Sequence, residues 1–343
     1  MRVVAGSDAS GTPFENEFGV EVVVIGAGVA GMYAAYCCSL MGIGCAVVDE
    51  LAIPGGQCMA LYPEKTVYGV PGYVGIKAKD YISRLSEQCL GKLKKKFFGY
   101  KIETVNKISD KEFEITARNV GTCVEEHGNV RIISTQYVIL ATGIGEMKPN
   151  IPATIKGASK ILGSSDFVQF YCLNHALYRG RDVVVAGGGD SAVDFAIDIA
   201  SIAKSVVIVH RRGNFTCEPH KVARIQELVS AGKIELEMSQ NILELKEFDE
   251  RRYVYTDKKE YTTDHIVFCY GFVVNPGSIV KDLGIKTEKN LIKVNLDDME
   301  TSVKNCYAVG DAVTYVNKKK NIVPCFFEAD RAVRAIKTKI SGG

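Results

Sequence analysis

The chain has 343 residues, 47% hydrophobic and 24% charged, with a formal net charge of +2. That length can hold two domains with separate cores, and the composition is neither fibrous, disordered nor strongly basic. A charge so near zero predicts no nucleic-acid partner. Eleven cysteines, an odd number that includes the adjacent pair Cys37-Cys38, do not form a disulfide framework. They suit reduced thiols in a cytoplasmic protein.

Residues 1–19, with Gly6, Ser7, Ser10, Gly11 and Pro13, read as a flexible tail without the basic start and apolar run of a signal peptide. Val22 to Val48 has no charged residue and is long enough to span a bilayer. Its glycines and its β-type ending, Cys45-Ala-Val-Val48, predict instead a buried unit of strand 21–25, helix 29–42 and strand 45–49. No membrane span is expected. The first turn of this unit is Gly26-Ala-Gly28-Val-Ala-Gly31. Glycines there let the backbone approach a pyrophosphate, and the helix N-terminus offers unpaired N–H groups with positive partial charge. Asp49 ends the second strand about 20 residues on, where a carboxylate can accept hydrogen bonds from a ribose diol.

Pro54-Gly-Gly-Gln57 to Gly75 is a long glycine- and proline-punctuated segment, of the kind that more often serves function than connection. A helix is predicted over 77–90, then the basic run Lys92-Leu-Lys-Lys-Lys96 and short alternating strands over about 100–137. Tyr137-Val-Ile-Leu-Ala-Thr-Gly143 reads as an apolar strand ending in small residues. A second strand–turn–helix unit covers 182–210, with the turn Gly187-Gly-Gly189-Asp-Ser-Ala192 after Asp182-Val-Val-Val185. Its second strand ends not in an acid but in His210-Arg211-Arg212, which suits a 2′-phosphate better than a free ribose. An amphipathic helix is expected near 219–231 and a last helix over about 327–340, with Ile266 to Gly271 and Cys306 to Asp311 as strands running into glycine.

Two such turns in one chain predict two bound dinucleotides and electron transfer between them, as in a flavoenzyme. The predicted class is α/β, with two Rossmann-like three-layer nucleotide-binding domains. A FAD domain at 20–145 and 272–343 is interrupted by an NADPH domain at 146–271.

The two fingerprints, with Ala60-Leu-Tyr-Pro-Glu-Lys65, Tyr68-Gly-Val-Pro-Gly72, Tyr270-Gly-Phe272, Met299-Glu-Thr-Ser302 and Gly310-Asp311, resemble the two-dinucleotide-binding flavoproteins. Within these the chain is most similar to the thioredoxin-reductase-like ferredoxin/flavodoxin–NADP reductases, over about residues 20–340. The resemblance implies FAD contacts at Gly26, Gly28, Gly31, Asp49, Gly56, Gln57, Ile102, Met147 and Asp311, with Tyr62 stacked on the isoalloxazine. It implies NADP(H) contacts at Gly187, Gly189, Asp190, Ser191, His210, Arg211 and Arg212. No protein acid or base need be catalytic, since flavin N5 carries the hydride.

The implied activity is hydride transfer from NADPH to FAD, then single electrons to ferredoxin or flavodoxin, in a homodimeric cytoplasmic enzyme. The lysines at 92–96 and 318–320 could steer an acidic redox partner. A thioredoxin-reductase-like thiol reductase is a competing reading, but no C-x-x-C is present and the matching region has a single cysteine, Cys172. A flavin-bearing redox sensor that does not turn over is a third. The last helix should aim its N-terminus at the flavin's pyrimidine edge, where an inward-pointing Asp330 would oppose reduction. Relatives in this family usually extend past that helix to cover the second flavin face. With the sequence ending at Lys339-Ile-Ser-Gly-Gly343, the face opposite Tyr62 is expected to be open.

Overall fold

The valine-rich runs become central parallel strands, because a strand covered on both faces must be apolar on both. In the computed structural model Val22, Val23 and Val24 are fully buried, and Val183, Val184 and Val185 nearly so. Each such side chain contributes about 1.5–3 kcal/mol of transfer free energy. The structure describes residues 18–121, 128–145, 148–161, 166–170, 174–249, 251–275 and 277–342. They divide into two compact units. One draws on residues up to 60, 67–147 and from 274 onward; the other comprises Leu61–Thr66 and Lys148–Val273.

The helices are α1 (Val29–Leu40), α2 (Gln57–Ala60), α3 (Ala78–Leu90), α4 (Ala158–Ile161), α5 (Asp190–Ile199), α6 (Pro219–Ser230), α7 (Ser278–Asp282) and α8 (Ile322–Ile340). In the first unit, strands Lys95–Phe98, Cys45–Asp49, Phe18–Ile25 and Val130–Leu140 lie side by side in parallel. Val22 pairs with Cys45 on one side and Tyr137 on the other. Val130–Leu140 uses its far edge twice. Its first half pairs antiparallel with Glu112–Asn119, and its end pairs in parallel with Cys306–Ala308. The first strand starts at Phe18, so positions 18 and 19 of the expected tail are paired, with Ile133 and Ser134; residues 1–17 lie outside the described chain.

The second unit has a wholly parallel sheet in the order Val168–Gln169, His265–Phe268, Asp182–Ala186, Ser205–His210, Glu235–Met238. An antiparallel three-stranded sheet, Ile242–Phe248, Arg251–Thr256 and Glu260–Thr262, packs through Leu245, Val254 and Tyr261 into the core around Phe167 and Ile266. Both units are therefore α/β, the first on a mixed sheet with a parallel core and the second on a parallel sheet.

One helix start differs from expectation. α8 begins at Ile322, not near 327, with Pro324 in its first turn. Proline is tolerated there because first-turn N–H groups have no intrahelical acceptor.

Candidate functional site

The first glycine turn is built on close backbone approaches. Gly26 has φ +106°, and a Cβ there would lie 2.3 Å from the Ala141 carbonyl oxygen. A Cβ on Gly31 would lie 1.8 Å from the Gly26 oxygen. Gly28 caps α1 without any side-chain bond, leaving the first N–H groups of the helix for a ligand. The Pro54–Gln57 segment docks beside it: the Gly55 N–H donates to the Ala27 oxygen at 2.8 Å. Gly56 then passes so near that a Cβ on it would be 3.0 Å from the Gly28 Cα. The loop that looked too long for a turn is thus a second wall of the fingerprint.

Asp49 accepts from the backbone N–H of Ala27 at 2.5 Å and of Leu51 at 2.8 Å. Burial pushes its carboxyl above the usual range, and the two N–H donors offset only part of that. Its first task is therefore to brace the glycine turn, with lone pairs left over for a hydroxyl donor. Across the same unit, Asp311 sits in the short turn Gly310–Ala312, where one oxygen accepts from the Gln57 amide at 3.1 Å. Its other oxygen is buried and has no partner among the described residues, and the same holds for the Thr142 hydroxyl. Unpaired buried acceptors are costly unless something supplies a proton, so this corner fits a polyhydroxylated ligand. Ile102 is half-buried on the strand Tyr100–Ser109, and Met147 lies outside the described residues.

One residue here was missed by sequence reasoning. Glu328, on α8, is completely buried and accepts from the Gly310 N–H at 2.7 Å and the Tyr315 hydroxyl at 2.6 Å. It also forms an ion pair with Lys318, whose side chain is only 5% exposed. Lys318 is therefore no steering charge; it is the internal counter-ion of Glu328. The signal was available. Cys325, Ala329, Ala332, Val333 and Ile336 form an apolar helical stripe, and Glu328 lies within it. Asp330, by contrast, points outward and pairs with Arg334 at 2.7 Å. The inward acid is Glu328, and it carries its own cation.

In the second unit, Gly187 has φ +142° and Gly189 caps α5 with no side-chain bond. Gly188 must be glycine because a Cβ would sit 2.5 Å from the His210 ring. That ring is stacked on Phe215, with its planes 8° apart, and its Nε2 is buried without a partner among the described residues. Burial, then the charges of Arg212 and Arg211, push His210 below its usual pKa, against a hydrogen bond to the Asn214 backbone. Arg211 and Arg212 are exposed, and among the described residues no acid holds either. Ser191 is exposed in the first turn of α5, beside Asp190, whose carboxylate is held by Lys221. Tyr62 belongs to this second unit, where the Lys65 ammonium lies 5.6 Å from its ring centroid.

The depressed pKa has a thermodynamic consequence. A neutral His210 contributes stability that is full above its unfolded pKa, about 6.5. It is lost as pH falls through the lower folded value. Denaturation midpoints measured from pH 7.5 down to pH 5 should fall less steeply in His210→Phe, which keeps the ring stack but cannot protonate. Equal slopes would show that the ring titrates normally.

None of the nine described cysteines is in a disulfide. Burial pushes Cys89, Cys269, Cys306 and Cys325 up to about 12, away from thiolate reactivity. Cys172 lies outside the described residues. Among the described residues no helix is long and apolar enough to cross a membrane, and no cluster of potential ligands could hold a metal.

The chain is 33% identical over 334 residues to a ferredoxin–NADP reductase of Flavobacterium psychrophilum, covering 94% of this chain and 90% of that protein. It is 34% identical over 322 residues to the protein of that name from Rhodospirillum rubrum, covering 91% and 89%. Among solved structures its fold matches thioredoxin reductase of T. acidophilum with a TM-score of 0.79 at 22% identity, over 94% and 99% of the two chains. It also matches a bacillithiol disulfide reductase of Bacillus cereus, TM-score 0.76 at 20% identity, over 94% and 100%. The model of the pyridine nucleotide-disulphide oxidoreductases matches residues 20–335, and this chain belongs to that family.

Proposed function

We propose that this protein is an FAD-dependent oxidoreductase that takes a hydride from NADPH and delivers single electrons to ferredoxin or flavodoxin. The observation that carries the reading is the pairing of unlike sites. The first turn ends in a carboxylate, Asp49, with the partnerless oxygen of Asp311 in the same unit. The second ends in two exposed guanidinium groups, which no acid among the described residues holds. A carboxylate suits the ribose diol of FAD; guanidinium forks suit the 2′-phosphate that distinguishes NADPH from NADH.

Bound FAD would supply the conversion between two-electron and one-electron transfer. The chain's own residues do the positioning. Gly26, Gly28, Gly31 and Gly56 admit the pyrophosphate to the start of α1, while Asp49 takes the adenosine ribose. Asp311, held by Gln57, accepts from the ribityl hydroxyls, and Ile102 and Met147 line the same cofactor. By the family resemblance, Tyr62 would stack on the flavin. Gly187, Gly189, Asp190 and Ser191 form the NADPH turn, with His210, Arg211 and Arg212 on its phosphate side. The first unit serves as FAD domain and the second as NADPH domain. The relatives' names support ferredoxin as acceptor, and the absence of a disulfide among the nine described cysteines supports a cytoplasmic setting. Assembly as a homodimer completes the proposal.

The high thiol pKa values and the absence of C-x-x-C weigh against a thiol reductase, despite the shared fold. The purified protein should be yellow, with one FAD per chain, and should reduce a one-electron acceptor faster with NADPH than with NADH. Changing Arg211 and Arg212 together to Ala should raise the KM for NADPH roughly ten- to hundredfold while sparing NADH. Equal losses with both nucleotides would remove the 2′-phosphate assignment.

A further inference from the structure

The second glycine turn carries an acid among the residues assigned to the nucleotide. Asp190 opens α5, at the positive helix end that the pyrophosphate would use, and Asp194 lies one turn on. Left alone, these carboxylates would cancel the helix-end charge and repel two phosphates. They are not left alone. Lys221, from the first turn of α6, reaches Asp190 at 2.7 Å and Asp194 at 3.1 Å. Lys65 also pairs with Asp194, at 2.7 Å. Two lysines balance the two acids of the fork, and among the described residues the exposed Glu218 also lies 3.7 Å from Lys221.

The placement of Lys221 runs against helix electrostatics. A cation in the first turn of a helix faces the positive end of the dipole, and α6 has no acid in its own first turn. The Lys221 side chain is also only 13% exposed. A lysine so placed is held by Asp190 and Asp194, and it returns their charge. Burial alone would lower the pKa of Lys221, yet the two carboxylates raise it overall, so it is charged at neutral pH.

We propose that Lys221 is the positioning residue of the NADPH site, neutralising Asp190 so that an acid-bearing glycine turn can accept the pyrophosphate. This rests on the nucleotide reading above. Lys221 acts through Asp190 and does not itself touch the nucleotide, which makes a specific double-mutant pattern necessary.

The test is calorimetric titration of the FAD-loaded protein with NADP+ and, separately, with adenosine 2′-monophosphate, which lacks the pyrophosphate. Lys221→Met should weaken NADP+ by about tenfold or more, because a carboxylate is freed beside the phosphates. Adenosine 2′-monophosphate should change by less than about twofold, a split that general loosening of the domain would not produce. Adding Asp190→Asn to Lys221→Met should return NADP+ affinity to within about threefold of the original. An unaffected Lys221→Met protein, parallel losses with both ligands, or a double variant as weak as the single one would each overturn the assignment. A wild-type protein that binds adenosine 2′-monophosphate but not NADP+ would do so too. If the wild type binds neither ligand, the nucleotide reading itself fails, and this inference with it.

Discussion

A Gly31→Ala protein should lose both FAD and most of its stability. The added Cβ would lie 1.8 Å from the Gly26 carbonyl oxygen and 3.1 Å from the Ala141 Cβ. The first contact is with backbone, which cannot rotate away as a side-chain end would. Ordinary core overpacking costs about 1–3 kcal/mol. This clash must cost more, since relief requires α1 to lift off the strand that feeds it. Gly69→Ala is the matching control, because its Cβ would meet nothing within 4 Å and its φ is not positive. Urea denaturation and the flavin absorbance of the purified proteins check the pair. A Gly31→Ala protein as yellow and as stable as Gly69→Ala would refute the close approach on which the first site depends.

The second large effect should come from Glu328→Ala. The substitution would strand the Lys318 ammonium in the interior and leave the Gly310 N–H and the Tyr315 hydroxyl without their acceptor. Breaking a buried ion pair from one side costs about 3–5 kcal/mol, a large part of a typical domain's 5–15 kcal/mol. Removing both charges as Glu328→Leu with Lys318→Met should recover part of the loss. It should not recover all, because the two neutral donors stay unsatisfied at about 1–3 kcal/mol each. Because Gly310 precedes Asp311, flavin retention should fall in both variants. If Glu328→Ala unfolds at the same urea concentration as wild type, the pair is not buried in solution.

Much of this protein is legible in its residue order. Both fingerprints, the valine runs around them, Asp49 and the Arg211-Arg212 pair are local patterns, whose meaning depends on neighbours a few residues away. The helices at 29–40, 78–90 and 219–230 follow from local periodicity and turn residues in the same way. What stayed hidden depends on pairs far apart in sequence. The Gln57 amide meets Asp311 across 254 positions, and Lys221 meets Asp190 across 31. Lysines look alike in sequence whether solvated or buried, since the ion pair that permits burial is made by folding alone. Lys318 therefore read as a surface charge until α8 brought Glu328 to it. α8 starts at Ile322, earlier than expected, because Pro324 would break a helix interior but is harmless in a first turn. Sequence determined which backbone turns exist and what charge each carries. Tertiary structure decided which acids are neutralised, because that depends on the distance between charges that only the folded chain brings together.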